Sequence, residues 1–163
     1  MEKKELELYI HIPFCVRKCN YCDFLSFPAD EDTQRQYVKA LCKEIFYYGA
    51  HCRDYVVSTV YIGGGTPSWL WESDMAEIMD AVHKNFALLP DAEVSVECNP
   101  GTVTAQKFAV YRQSGINRIS LGLQSAQNVE LKMLGRIHTW EQFLKTYEPV
   151  SYTHLTLPTN SLV

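Results

Sequence analysis

Apolar and polar positions along this chain switch period several times, and each switch marks an element. Residues 6–12 alternate strictly, with Leu6, Leu8, Ile10 and Ile12 against Glu7, Tyr9 and His11, and stop at Pro13; that period of two predicts a strand. Over residues 32–48 the apolar positions become Tyr37, Leu41, Ile45 and Tyr48, with acidic residues at the start, which predicts a helix. Residues 56–62 read as a second strand closed by Gly63, Gly64 and Gly65, and Met75, Ile78, Met79, Val82 and Phe86 as a second helix. A third strand covers 93–97 and turns at Asn99, Pro100 and Gly101. A helix then runs from Thr104, a suitable N-cap, to Gly115, a suitable C-cap. Residues 116–123 form the fourth strand and 128–134 a last helical stretch.

Strand–helix units in succession imply an α/β fold with a parallel sheet and right-handed crossovers. An open doubly wound sheet and a partial (β/α) barrel both satisfy this pattern, and periodicity does not choose between them. Strands one and four should be open edges. After Glu148 the pattern stops: residues 149–160 show neither apolar period nor cap signal, and resemble a translated sequencing adaptor. The chain is therefore divided into a core, 1–148, and a tail, 149–163, expected to be non-native and to lack packed contacts.

Composition narrows the partners. The chain has 163 residues, 47% of them hydrophobic, with a net charge of −4, as in an ordinary globular domain. Its basic residues are scattered singly, so nucleic acid is not expected as a partner. No signal-peptide pattern and no bilayer-length apolar stretch is present, which points to the cytosol. Six cysteines in that reducing compartment are not read as three disulfides, which leaves metal ligation, catalysis or apolar packing.

Three of them, Cys15, Cys19 and Cys22, form a C-x3-C-x2-C run in the loop after the first strand. Three thiolates within eight residues can converge on one iron–sulfur cluster. Zinc would require a fourth Cys or His close by, and only Cys42 follows within about twenty positions. A cubane held by three thiolates leaves one iron free to bind a small molecule. Gly63, Gly64, Gly65, Thr66 and Pro67 close the second strand without the Gly-Lys-Ser/Thr of a phosphate loop; they are either a tight turn or a place where backbone approaches a ligand. Glu97 ends the third strand inside an apolar run, either as a solvated end or as a paired carboxylate. Gln124 ends the fourth strand and Arg136 follows it, and both also suit a plain surface role. Cluster loop, glycine turn, Glu97 and Gln124 all fall at C-terminal ends of predicted strands, the face on which barrel sites are built. Cys42 and Cys52 read as packing, Cys98 as no ligand, and His11 as a packed histidine.

The cysteine run, with the aromatic Tyr21 just before its third member, resembles the signature of radical S-adenosylmethionine (SAM) proteins. That resemblance implies a partial (β/α)6 TIM-like barrel, of which about four units are present here. It also implies a [4Fe–4S] cluster on Cys15, Cys19 and Cys22 whose open iron is chelated by the methionine part of SAM. One electron from an electron donor protein then cleaves SAM to methionine and a 5′-deoxyadenosyl radical. By position, Gly64, Gly65 and Thr66 resemble the glycine motif beside the methionine amine, and Glu97 the carboxylate that meets the ribose. Tyr9, Tyr21, Gln124 and Arg136 resemble further SAM-contacting positions.

Residues 9–15, 63–68 and 118–125 further resemble the oxygen-independent coproporphyrinogen III oxidase group, which implies a role in haem or porphyrin metabolism. The oxidases of that group usually carry a further Cys two positions after the third ligand, where this chain has Phe24. The departure resembles the group's haem-chaperone branch, whose members bind haem and pass it to acceptor proteins; radical decarboxylation of porphyrinogen propionates is the alternative.

Overall fold

The computed structural model describes residues 4–152. The order of elements is β1 (Lys4–Ile12), α1 (Glu31–His51), β2 (Tyr55–Gly64), α2 (Glu72–Asn85), β3 (Leu88–Cys98), α3 (Ala105–Gln113), β4 (Arg118–Leu121), α4 (Asn128–Met133) and α5 (Trp140–Tyr152). A 3₁₀ turn, Pro67–Trp69, follows β2. Helix starts obey the capping signals: the Asp30 side chain accepts the Thr33 amide at α1, and the Thr104 side chain accepts the Lys107 amide at α3. Gly115, at φ +90°, ends α3 in the left-handed conformation that glycine adopts without strain.

The four strands pair in parallel in the order β1-β2-β3-β4, leaving β1 and β4 as edges among the described residues. Register decides what each face carries. Tyr9 lies opposite Tyr61, Tyr61 opposite Ser95, and Ser95 opposite Arg118, a polar row across one face. The neighbouring row, Ile10, Ile62, Val96 and Ile119, faces the helices and belongs to the core with Val38 and Ile45 of α1, Met75, Ile78, Met79 and Val82 of α2, and Phe108 and Tyr111 of α3. Full burial of each such apolar side chain contributes about 1.5–3 kcal/mol. Helices α1, α2 and α3 all pack on one face of the sheet in a single core, as outside a barrel wall and unlike the two covered faces of a doubly wound sheet. The architecture is α/β with a four-stranded parallel sheet, consistent with part of a TIM-like barrel.

Two departures from the sequence reading concern the end of the chain. Helix α5 was not expected at all. It opens on a reciprocal cap in which Thr139 Oγ1 accepts the Gln142 amide and Gln142 Oε1 accepts the Thr139 amide, the arrangement of a capping box. The helix continues through Pro149 to Tyr152, and Val150 is fully buried in the core. The expected absence of packed contacts after Glu148 is therefore corrected at Val150; the side chains of 151 and 152 and all of 153–163 lie outside the described residues. No helix among the described residues is long and apolar enough to cross a membrane.

Candidate cluster and cofactor site

The loop after β1 is closed at its base. Phe14 and Phe27 form a parallel bridge, Phe27 N donates to Pro13 O, and Cys15 N donates to Phe27 O. Their rings meet edge to face at 5.6 Å, and Phe14 also packs on Tyr37. Within the loop, Cys22 N donates to Cys19 O, a turn that brings these two positions together. From the strand side, His11 bridges Tyr9 Oη at 2.9 Å and Leu25 O at 3.0 Å, so the packed histidine of the sequence reading in fact ties the loop's end to β1.

The glycine turn is built against this loop. Gly65 N donates to Ile12 O and Thr66 N to Phe14 O. A Cβ on Gly65 would stand 2.7 Å from Phe14 O and 3.0 Å from Cys15 Sγ, so only glycine lets the two segments approach this closely. Gly64 N donates to Glu97 Oε2, whose other oxygen accepts from Tyr61 Oη at 2.7 Å. Burial, then the carboxylate, push the Tyr61 phenol well above its ordinary value, which keeps it a donor.

A polar circuit runs round the site. Cys15 Sγ meets Thr66 Oγ1, which accepts from Asn99 Nδ2 at 2.9 Å; Asn99 Oδ1 accepts from Arg136 Nη2 at 2.7 Å, and Arg136 Nη1 reaches Cys19 Sγ at 3.4 Å. Arg136 Nη2 also donates to Gly122 O. Gln124 stands beside it at φ +69°, a strained backbone for a residue other than glycine. Beneath the circuit, Lys107 Nζ donates to Ser68 O and Thr102 O, joining the turns after β2 and β3.

These groups enclose one cavity of about 280 Å³. Cys15, Cys19, Cys22 and Tyr21 line it from the loop, Gly64, Gly65 and Thr66 from the turn, Glu97 from β3, and Gln124 and Arg136 from the segment after β4. Tyr9 alone of the expected site residues is not in its wall. Its side chain faces the same side of the sheet but is 62% exposed and stacks on Tyr61 at 6.2 Å, one aromatic layer away from Glu97. Asn99, Arg17 and His138 line the cavity although the sequence reading passed over them. The Asn99 signal was its place two residues after Glu97 at a strand end; no local signal distinguished Arg17 or His138.

Two features test whether a cluster and a polar cofactor suit the site. Arg136 Nε and His138 Nδ1 are buried without a partner, and buried polar atoms are normally bonded. His138 Nε2 must donate to Leu123 O, since a carbonyl only accepts, and burial followed by the nearby Arg136 pushes this imidazole's pKa down. Its Nδ1 is thus a bare acceptor. Cys15, Cys19 and Cys22 all line this one cavity, with the Arg136 guanidinium beside Cys19, a donor set of three thiols that suits an iron–sulfur cluster.

All six cysteines are free; of the other three, Cys98 borders the same cavity from the end of β3. Cys98 points to the helix side, and its burial pushes the thiol up to about 12. Iodoacetamide at mildly alkaline pH is therefore expected to leave Cys98 unmodified in the folded protein and to label it in denaturant; rapid labelling of the native protein, located by peptide mapping, would contradict this burial. Cys42 packs half-buried against the core.

Comparison with known proteins places this geometry in a family. The model of the radical SAM superfamily matches residues 9–150. Heme chaperone HemW of Escherichia coli is 46% identical over 134 residues, covering 82% of this chain and 35% of that protein. HemW of Mycobacterium tuberculosis is 41% identical over 135 residues, covering 81% and 35%. Among solved structures, coproporphyrinogen III oxidase (HemN) from Escherichia coli, a radical SAM enzyme, superposes with a TM-score of 0.88 at 28% identity, covering 94% of this chain and 36% of that one. The chain spans about a third of the length of the curated relatives it matches.

Proposed function

The chain belongs to the radical SAM superfamily, and from that premise we propose that it is part of a cytosolic haem chaperone, which binds haem and transfers it to acceptor proteins. Superfamily membership implies a [4Fe–4S] cluster and SAM. Cys15, Cys19 and Cys22 would hold the cluster, three thiolates that would leave one iron without a protein ligand. The cluster, when bound, supplies the electron that cleaves SAM, and a donor protein replaces it.

This chain's residues bind and orient the cofactor. The bare backbone of Gly64 and Gly65 lets the methionine amine come close, with Thr66 Oγ1 beside it. Glu97 spends one acceptor site of each oxygen on Gly64 N and Tyr61 Oη, and the remaining lone pairs receive the ribose hydroxyls. Arg136 and Gln124 contact SAM from the β4 side, and Tyr21 closes the rim. Tyr9 acts one layer back, by holding Tyr61 against Glu97.

The observation that carries the chaperone reading over the oxidase is Phe24. It stands on the cavity rim, 66% exposed, where the oxidases of the group usually have a fourth thiol near the cluster. The identities of 41–46% to haem chaperones support it. The close superposition on coproporphyrinogen III oxidase favours the alternative, radical decarboxylation of porphyrinogen propionates. The intact, anaerobically reconstituted protein is expected to bind haem and to cleave SAM, with no conversion of coproporphyrinogen III to protoporphyrinogen IX. Both decarboxylations in that assay would establish the oxidase instead.

A further inference from the structure

The segment that carries Arg136 is fastened to the cluster loop by bonds that the circuit above does not include. A helix leaves its last carbonyls without intrahelical partners. At the end of α4 the turn takes up Glu130 O, Leu131 O and Lys132 O itself, while the carbonyls of Met133 and of the two residues after it are taken by residues from far away in sequence. Asn20 Nδ2 donates to Met133 O at 2.9 Å, Asn20 N to Leu134 O at 3.0 Å, and Arg17 Nη2 to Gly135 O at 2.6 Å. Asn20 therefore caps α4 in trans, from between two cluster cysteines. Gly135 is shaped to this contact. It lies at φ +75°, and a Cβ there would stand 2.8 Å from Asn20 Oδ1 and 3.1 Å from Asn20 N. The next residue is Arg136, whose guanidinium then reaches Cys19 Sγ, Asn99 Oδ1 and Gly122 O.

We propose that Asn20, seated against Gly135, is a positioning residue that sets the Arg136 guanidinium against Cys19 and the cofactor, so that SAM affinity depends on a side chain that is not itself in the cavity wall. The proposal rests on the radical SAM reading of the site. Its physical basis is leverage. Arg136 follows directly on the clamped turn, and three bonds spread over three consecutive carbonyls fix both the position and the rotation of that turn. Releasing them lets the guanidinium move by more than the few tenths of an ångström that separate a hydrogen bond from none. A charge held beside a cluster sulfur also tunes its reduction potential.

The test uses the full-length protein, reconstituted anaerobically, with SAM binding measured by equilibrium dialysis and the reduced cluster observed by electron paramagnetic resonance. Asn20→Asp removes the donor and sets a carboxylate against Met133 O; Gly135→Ala drives a methyl into Asn20. Each is expected to keep the iron content of the parent, to weaken SAM binding about tenfold, and to reduce the change in the cluster spectrum that SAM produces. A double-mutant cycle separates positioning from general damage. In an Arg136→Ala background, Asn20→Asp should weaken SAM binding by less than about twofold, because the group it acts through is gone. A full tenfold further loss in that background would overturn the proposal, as would unchanged affinity in both single variants. If Asn20→Asp loses iron, Gly135→Ala is carried through the same cycle, because it leaves the residues between the cluster cysteines unaltered. Failure of the family reading looks different: the parent protein would itself bind no SAM.

Discussion

Cys19→Ala is expected to reduce iron in the anaerobically reconstituted, full-length protein from about four atoms per chain to nearly none. The structure explains why one substitution should suffice. Cys15 is buried against Thr66 and the closed base of the loop, whereas Cys19 and Cys22 share a single turn and are half-buried. Two thiolates cannot keep a cubane whose other corners face an open cavity. Arg136 would also lose its sulfur partner at 3.4 Å, leaving a guanidinium in a polar wall that no longer needs it. Cys42→Ala, by contrast, removes a half-buried thiol that packs against the core and bonds weakly to Glu77 O; its iron content should equal that of the parent. Iron and sulfide assays with the absorbance near the cluster band decide the matter. Tight zinc with no iron in the parent, or equal loss from both variants, would refute the assignment of the three ligands.

Gly64→Ala is expected to weaken SAM binding by more than tenfold while leaving the three cysteines in place. Two effects coincide at this position. Its φ of +117° is one that L side chains rarely adopt, at a cost of roughly 1–3 kcal/mol. The added Cβ would also stand 2.6 Å from His11 Cε1 and 3.0 Å from Ile12 O. His11 has little freedom to yield, since Tyr9 Oη and Leu25 O hold both ring nitrogens. The backbone at Gly64 must therefore shift, and its amide moves off Glu97 Oε2, disturbing the carboxylate proposed to meet the ribose. Gly101→Ala is the control: it also has a positive φ, +84°, but nothing lies within 4 Å of the new methyl. Both variants should melt below the parent, and only Gly64→Ala should lose affinity for SAM. Equal affinities in dialysis, within about twofold, would show that the glycine turn is merely a turn.

The strand and helix periods, the caps at Thr104 and Gly115 and the cysteine run were all legible because each is a local property of the chain. A cap bond spans three residues, a strand face alternates every two, and a C-x3-C-x2-C loop is closed within eight. Placing the glycine turn, Glu97 and Gln124 near the cysteines also needed no coordinates. Parallel strands joined by right-handed crossovers put all their C-terminal ends on one edge, so four strand ends imply one neighbourhood. Helix α5 was legible in principle, through Thr139 and Gln142, but Pro149 and the irregular residues beyond it concealed the pattern.

What the amino-acid order determined by itself, then, was the alternation of elements and the edge of the sheet where the candidate site residues gather. Tertiary structure decided the rest, because the deciding contacts join residues with no sequence relation. Barrel wall or doubly wound sheet depended on which face of each strand the helices cover. Tyr9 was moved one layer back by its stacking on Tyr61, a partner 52 positions along the chain. Asn20 and Arg17 gained their partners from α4, more than a hundred residues away. A hydrogen bond acts over about 3 Å of space whatever the separation along the chain, and only the folded sheet brings those donors and carbonyls within that range.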